Sequence, residues 1–292
     1  MSRAVRRAFE RAAPGAREDF VVSREAARRM ESRLDYVSLK PQRILEAGCG
    51  SGSDFEPLAR RYPRAQLVGV DLAPALLRAA ARRQSFARRA KRLLGRPAPA
   101  LACADIARLP FAPASFQMVW SNLALSWVAD PAHAFREFAR VLAPGGLLTF
   151  STYGPDTLKE LRAACLALDS GAHVQRFADM HDLGDLLVAS GFAAPVMDMD
   201  LITLTYAEFS ALAADLRRTG QTYAGEDRRR GLVGRAAWQR VIEAYEALRR
   251  EGRLPASVEL VFGHAWKSER ARAPTKSTIQ VVRAPARSSV IK

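Results

Sequence analysis

Short polar segments, each placed directly after an apolar run, hold most of the chemistry this chain can do. Glu46-Ala47-Gly48-Cys49-Gly50-Ser51-Gly52 follows Arg43-Ile44-Leu45. Glycines at alternate positions let the backbone turn tightly and approach a ligand where a Cβ would collide. The dinucleotide pattern G-x-G-x-x-G needs glycine or alanine three residues after Gly50, and Ser53 stands there. Asp71 ends the next apolar run, Gln66–Leu72. A carboxylate at that point can accept hydrogen bonds from both hydroxyls of a ribose, and it can also cap the helix that Pro74 opens. Asp105-Ile106 and Ser121-Asn122 end two further runs. All four segments are suited to binding. Acid–base catalysis has little to draw on, since the four histidines and the carboxylates form no pair at motif-like spacing; His133 and His264 read as structural.

Strands and helices must position these groups. Arg43–Gly52 reads as a short apolar strand running into the glycine-rich turn, and Gln66–Leu72, Leu101–Ile106, Ser115–Asn122 and Gly146–Thr152 as further buried strands. Helices are expected between them, over Asp54–Arg61, from Pro74, and over Pro131–Leu142, and the Pro144-Gly145-Gly146 turn precedes the fifth strand. This alternation predicts a parallel, doubly wound α/β sheet with ligands beyond the carboxyl ends of its strands. The second half changes character. Asp156–Asp169 and Asp179–Ser190 read as helices, and Val196–Leu204 as a strand that pairs with Ser257–Trp266 across a mostly helical insertion, about 206–252. Met1–Lys40 reads as helix, stopped by Pro41. The tail 268–292 is basic, with proline and serine, and is expected to be poorly ordered.

Four elements at successive strand ends resemble the class I S-adenosylmethionine-dependent methyltransferases. The resemblance implies a seven-stranded Rossmann-like sheet with helical lid insertions and S-adenosyl-L-methionine as cofactor. It puts Glu46, Gly48, Gly50 and Gly52 in the cofactor loop, the ribose on Asp71 and the adenine beside Leu72. Asp105 and Ile106 would lie near the adenine amine and ring, and Asn122 beside the methionine part.

Within that class, the chain resembles the malonyl-[acyl-carrier protein] O-methyltransferases of biotin synthesis over nearly all of residues 9–266. RRAFERAA, SNLALSWVADP, FSTYGPDTLKELRAA, HDLGDLLVASGF, RGLVGRAAW and LPASVELVFGHAWK carry the likeness. The family has a tyrosine soon after the RAA segment, whereas Ala12-Ala13-Pro14-Gly15-Ala16 stands here, with Phe20 as a stand-in. A methyltransferase-fold assembly factor for respiratory NADH dehydrogenase, arginine-modifying or non-catalytic, shares the DLG-LL-GF segment and is the alternative. A methyltransferase acting on another small molecule or on RNA is a third.

A free carboxylate as methyl acceptor is already ionised at neutral pH, which agrees with the missing acid–base pair. It needs orienting instead, and Arg176 (bidentately) and Tyr153 are the candidates. Forty-five Lys and Arg against 30 Asp and Glu leave a net charge of +15, which favours acidic partners. Arg78, Arg82, Arg83, Arg88, Arg89, Lys91, Arg92 and Arg96 crowd one segment. An acidic acyl carrier protein bearing a malonyl group suits that charge. No stable nucleic-acid partner is expected, because no basic stretch interleaves with aromatics. No apolar run reaches the roughly 20 residues of a membrane span. Cys49, Cys103 and Cys165 are too few and too far apart for a disulfide framework or a metal knuckle; a cytoplasmic setting is expected.

Overall fold

The computed structural model describes residues 3–12, 21–92, 98–169, 171–223, 225, 231 and 233–268, with backbone only for 85–92. Residues 269–292 of the expected tail, Phe20, Arg96 and the side chains of Arg88, Arg89, Lys91 and Arg92 lie outside the described residues.

The apolar runs become strands β1 (Arg43–Ala47), β2 (Gln66–Asp71), β3 (Ala100–Cys103), β4 (Phe116–Asn122), β5 (Leu142–Tyr153), β6 (Phe192–Tyr206) and β7 (Leu254–Lys267). They form one seven-stranded sheet in the order β3-β2-β1-β4-β5-β7-β6. Neighbours among β1 to β5 pair in parallel. β7 is antiparallel to both β5 and β6, and its pairing with β6 is the one expected of Val196–Leu204 and Ser257–Trp266. The cause lies in the connection: the insertion leaves at Tyr206 and returns at Leu254, and these two residues pair. The chain re-enters beside the strand end it left, which is the geometry of an antiparallel neighbour.

Nine helices are described: α1 (Arg3–Ala12), α2 (Val21–Arg33), α3 (Phe55–Arg61), α4 (Pro74–Arg92), α5 (Pro131–Val141), α6 (Lys159–Cys165), α7 (Met180–Ala189), α8 (Phe209–Arg218) and α9 (Arg235–Glu246). Because side chains alternate across a strand, adjacent strand residues feed opposite layers. Met118 and Leu147 pack with Ala26, Met30, Phe55 and Leu58 of α2 and α3. Val119 and Leu148 pack with Phe135, Phe138, Leu183 and Leu187 of α5 and α7. A third cluster joins α6, α8 and α9 to the ends of β6 and β7 through Phe209, Leu212, Val241, Tyr245 and Leu254.

Helix starts follow their caps. Asp130 accepts the Ala132 N–H with Pro131 in the first turn of α5, and Asp179 accepts the His181 N–H at α7. Three expectations need correction. Met1–Lys40 is not helical throughout: α2 ends at Arg33, and after one 3-10 turn, Leu34–Tyr36, residues 37–40 leave the helix. Asp156–Asp169 is shortened to α6, because Leu158 takes a left-handed conformation (φ 55°) and its N–H bonds to the Ser257 carbonyl of β7. β3 stops at Cys103, so Asp105 lies outside the sheet, in an isolated bridge with Arg108.

α2 is a core helix, with Ala26 and Met30 buried. α1 stands over the sheet's ligand-binding end, where Val5, Arg6 and Phe9 line a cavity.

Candidate cofactor and acceptor site

In open α/β sheets, ligands bind outside the strands' carboxyl ends where the strand order reverses. Here that point lies between β1 and β4, and a cavity is found there. It is lined by Glu46, Gly48, Cys49, Gly50 and Ser51 after β1, Asp71, Leu72 and Ala73 after β2, Ala104 and Ile106 after β3, and Asn122 and Leu123 after β4. Val5, Arg6 and Phe9 of α1 and Ser23 of α2 cover it.

The loop is held by β2. Gly48 and Cys49 both donate to the Val70 carbonyl, at 2.8 and 2.9 Å. The Asp71 carboxylate then accepts the Gly50 N–H at 2.9 Å and the Ala73 N–H at 2.8 Å, one on each oxygen. A carboxylate has about four acceptor positions, so these bonds leave room for a ribose hydroxyl. The ribose and capping roles expected for Asp71 are thus compatible. Gly48 (φ +82°) could carry no side chain, since a Cβ would lie 2.2 Å from Ala124 Cβ; a Cβ on Gly50 (φ +51°) would meet nothing within 4 Å.

Three carboxylates share this cavity. Asp54 is buried and satisfied, accepting from Trp120 Nε1 at 2.9 Å, Asn122 Nδ2 at 3.0 Å and Ser53 Oγ at 3.0 Å. Glu46 is buried, and its Oε2 has no hydrogen-bond partner among the described residues. Burial raises the pKa of Glu46 well above its ordinary value, and the nearby Asp54 and Asp71 raise it further. Burial also raises Asp54 and Asp71. An orphaned acceptor among like charges is costly, and a cationic ligand relieves it. S-adenosylmethionine, with its sulfonium and ammonium groups, fits this set of groups.

The remaining expected residues divide. Leu72 and Ile106 line the cavity. Asp105 does not line it; its Oδ1 accepts the Ala107 N–H at 2.9 Å. Asn122 lines it as a brace: Nδ2 donates to the Ser23 carbonyl at 3.0 Å as well as to Asp54, and Oδ1 accepts from Ser151 Oγ at 2.7 Å. This ties α2 to the cofactor loop. Arg176 is exposed and lines neither this cavity nor its neighbour, although Val174, Gln175 and Phe177 line the neighbour. Tyr153 is buried at the end of β5, against Phe177 with ring centroids 5.3 Å apart.

That neighbouring cavity shares Trp127, Tyr153 and Gln221 with the first. Leu158, Leu161, Phe209, Leu212 and Leu216 supply much of its wall, and His173 lines it with Nε2 2.7 Å from Asp169 Oδ1. Sequence reasoning missed Asp54, Trp127 and Gln221. Asp54, two residues past the last loop glycine, was the most findable. Gln221 carried no local signal, because its placement depends on where α8 ends.

A linkage test follows from Glu46. A raised folded pKa means that its contribution to ligand-free stability is fully present below the ordinary value of 4.5 and is lost as pH rises through the raised value. A cation favours the ionised form, so cofactor affinity should tighten with rising pH over the same window. In Glu46→Gln, the ligand-free protein should lose less stability on going from acid to neutral pH, and the affinity should become flatter with pH. Thermal midpoints and calorimetric affinities across pH 5–8 measure both slopes, and identical slopes in the two proteins would refute the assignment.

A methyltransferase-domain profile matches residues 45–150, which run from β1 into β5. Among solved structures, the YcgJ protein of Bacillus subtilis superposes with a TM-score of 0.58 at 17% identity, covering 85% of this chain and all of that one; this likeness shows the fold. The malonyl-[acyl-carrier protein] O-methyltransferase of Laribacter hongkongensis is 51% identical over 90% of this chain and 88% of its own length. That of Gallionella capsiferriformans is 48% identical, over 91% and 90%. With its strand order, its glycine loop and identity at this level over nine-tenths of both sequences, the chain belongs to the malonyl-[acyl-carrier protein] O-methyltransferase family of class I methyltransferases.

Proposed function

We propose that this chain transfers the methyl group of S-adenosylmethionine to the free carboxylate of a malonyl thioester carried on acyl carrier protein, an early step of biotin synthesis in the cytoplasm. The observation that carries this is the 51% identity to a relative of that name across almost the whole of both chains. The assembly-factor and RNA alternatives have no comparable support. No described helix is long and apolar enough to cross a membrane.

The bound cofactor supplies an electrophilic methyl on a sulfonium. The protein's share is alignment and exclusion of water, because an ionised carboxylate needs no base. The Gly48–Gly52 loop and Asp71 would hold the nucleoside and amino-acid parts, Leu72 and Ile106 would flank the base, and Glu46 would face positive charge. Tyr153 would meet the acceptor. Arg176, exposed and outside both cavities, would act only at their rim. The direct test is incubation with methyl-labelled S-adenosylmethionine and malonyl-carrier protein. One added methyl, released by mild base as an ester is, supports the reading; absence of product from active, folded protein refutes it.

The basic helix α4 would serve the encounter with an acidic carrier. Arg78, Arg82 and Arg83 are exposed on it, and exposed charges steer association while salt screens them. Arg78→Glu with Arg82→Glu should raise KM for malonyl-carrier protein about three- to tenfold at low salt, with kcat little changed. A small malonyl thioester should be almost unaffected. Equal effects on the two substrates would show that the helix is merely solvated surface.

A further inference from the structure

The residues the two cavities share at their junction, Trp127, Tyr153 and Gln221, carry no charge of their own. Gln221 Nε2 donates to Tyr153 Oη at 2.7 Å. With that lone pair engaged, the phenol's own proton is directed to another acceptor, and Tyr153 borders both cavities. Burial raises its pKa above the ordinary 10, so the phenol remains a donor throughout the neutral range.

Gln221 is set in place by backbone geometry rather than by its own side chain. After α8 the chain turns through Gly220 (φ +73°), and the Gln221 N–H returns to the Leu216 carbonyl at 2.9 Å, a helix-ending arrangement that glycine permits. A Cβ on Gly220 would press on Phe9 of α1 at 3.0 Å. Phe9 in turn meets Trp127 edge-on, with ring centroids 5.1 Å apart. Three elements distant in sequence thus converge on the junction. Beyond it the second cavity is walled largely by apolar side chains, while Arg217 and Trp238 are exposed lining residues that mark its mouth.

We propose that this second cavity is the acceptor site, taking an uncharged thioester arm along its apolar wall with the terminal carboxylate at the Tyr153–Gln221 pair. Tyr153 donates to the carboxylate, and Gln221 acts through Tyr153 as a positioning residue. A phenol turned to donate suits a carboxylate, so the junction favours the acceptor's terminal group as well as its position. The apolar wall suits a neutral arm and would leave a charged one unpaired. When the cofactor is bound, the acceptor oxygen forms the new bond to the methyl carbon, the carbon–sulfur bond breaks with its electron pair left on sulfur, and no proton moves. This inference rests on the proposed activity, and the experiment separates the two.

Small malonyl and acetyl thioesters of N-acetylcysteamine serve as probes, the second lacking the carboxylate. Their affinities for full-length protein saturated with S-adenosylhomocysteine are measured by calorimetry, alongside kcat and KM for the malonyl compound. Wild type should prefer malonyl to acetyl at least tenfold. Tyr153→Phe and Gln221→Leu should each reduce that preference to below about threefold, lowering kcat/KM by about 10- to 100-fold with S-adenosylhomocysteine affinity and thermal midpoint nearly held. Gln221→Glu, close in shape, should cost more than Gln221→Leu at pH 8 and recover as pH falls, because the introduced carboxylate, when ionised, would repel the acceptor; a packing role would give no such pH dependence. If wild type methylates malonyl thioesters and the folded variants keep the preference, the acceptor assignment is wrong while the activity stands. If wild type methylates neither the small thioester nor malonyl-carrier protein, the activity itself is wrong.

Discussion

Gly50→Val is expected to leave a folded protein that no longer binds S-adenosylmethionine measurably. Gly50 lines the first cavity, and a Cβ built on it meets no protein atom within 4 Å. The added isopropyl group therefore enters space that the ligand would fill. Its backbone, at φ +51°, is left-handed, which costs a non-glycine residue about 1–2 kcal/mol. That corresponds to a fall of only a few degrees in thermal midpoint for a chain of this size. Gly50→Ala should show the same strain with a smaller obstruction, and so an intermediate affinity. Gly48→Ala provides the contrast. Its Cβ would overlap Ala124 Cβ at 2.2 Å, so it should destabilise the protein whether or not cofactor is present. Calorimetry and thermal melts on all three variants measure this, and wild-type affinity in folded Gly50→Val would remove the cavity from consideration as the cofactor site.

The same contrast shows how much of the site the sequence could reveal. Periodicity and motif spacing located all seven strands, β1, β2 and β4 as apolar runs buried on both faces and β6 as an alternating run exposed along much of its length. They located the loop because positive φ at close quarters restricts the residue to glycine. They placed α7 almost to its ends because Asp179 is an N-cap. What they missed depended on contacts distant in sequence. The direction of β7 follows from where the insertion returns, and the break in α6 from Leu158 bonding to Ser257 a hundred residues away. Asp105 was placed near the adenine by resemblance alone; in the structure it lies past the end of β3, and its carboxylate bonds to its own turn. Gln221 was invisible for a similar reason, since a glutamine after a helix-ending glycine is ordinary until α1 and β5 are packed around it.

Asp71 offers the other large effect, and the structure changes what its removal means. Its two oxygens hold the Gly50 and Ala73 N–H groups, so Asp71→Ala loosens the loop as well as deleting any ribose contact. Lost hydrogen bonds to a charged acceptor are worth about 2–3 kcal/mol in total, or roughly 30- to 150-fold in affinity. Stability should change less, because the deleted carboxyl is itself disfavoured by burial. A weaker affinity alone would not separate ribose binding from loop support. A cofactor analogue lacking the 2′-hydroxyl does separate them, by a double-mutant cycle. On wild type the analogue should bind about tenfold more weakly than the parent cofactor, the loss of one charge-assisted bond. On Asp71→Ala the two should bind alike, since the partner of the missing hydroxyl is already gone. If the analogue is penalised equally on both proteins, Asp71 supports the loop without touching the ribose, and the hydroxyl's partner must be sought among the other groups lining the cavity.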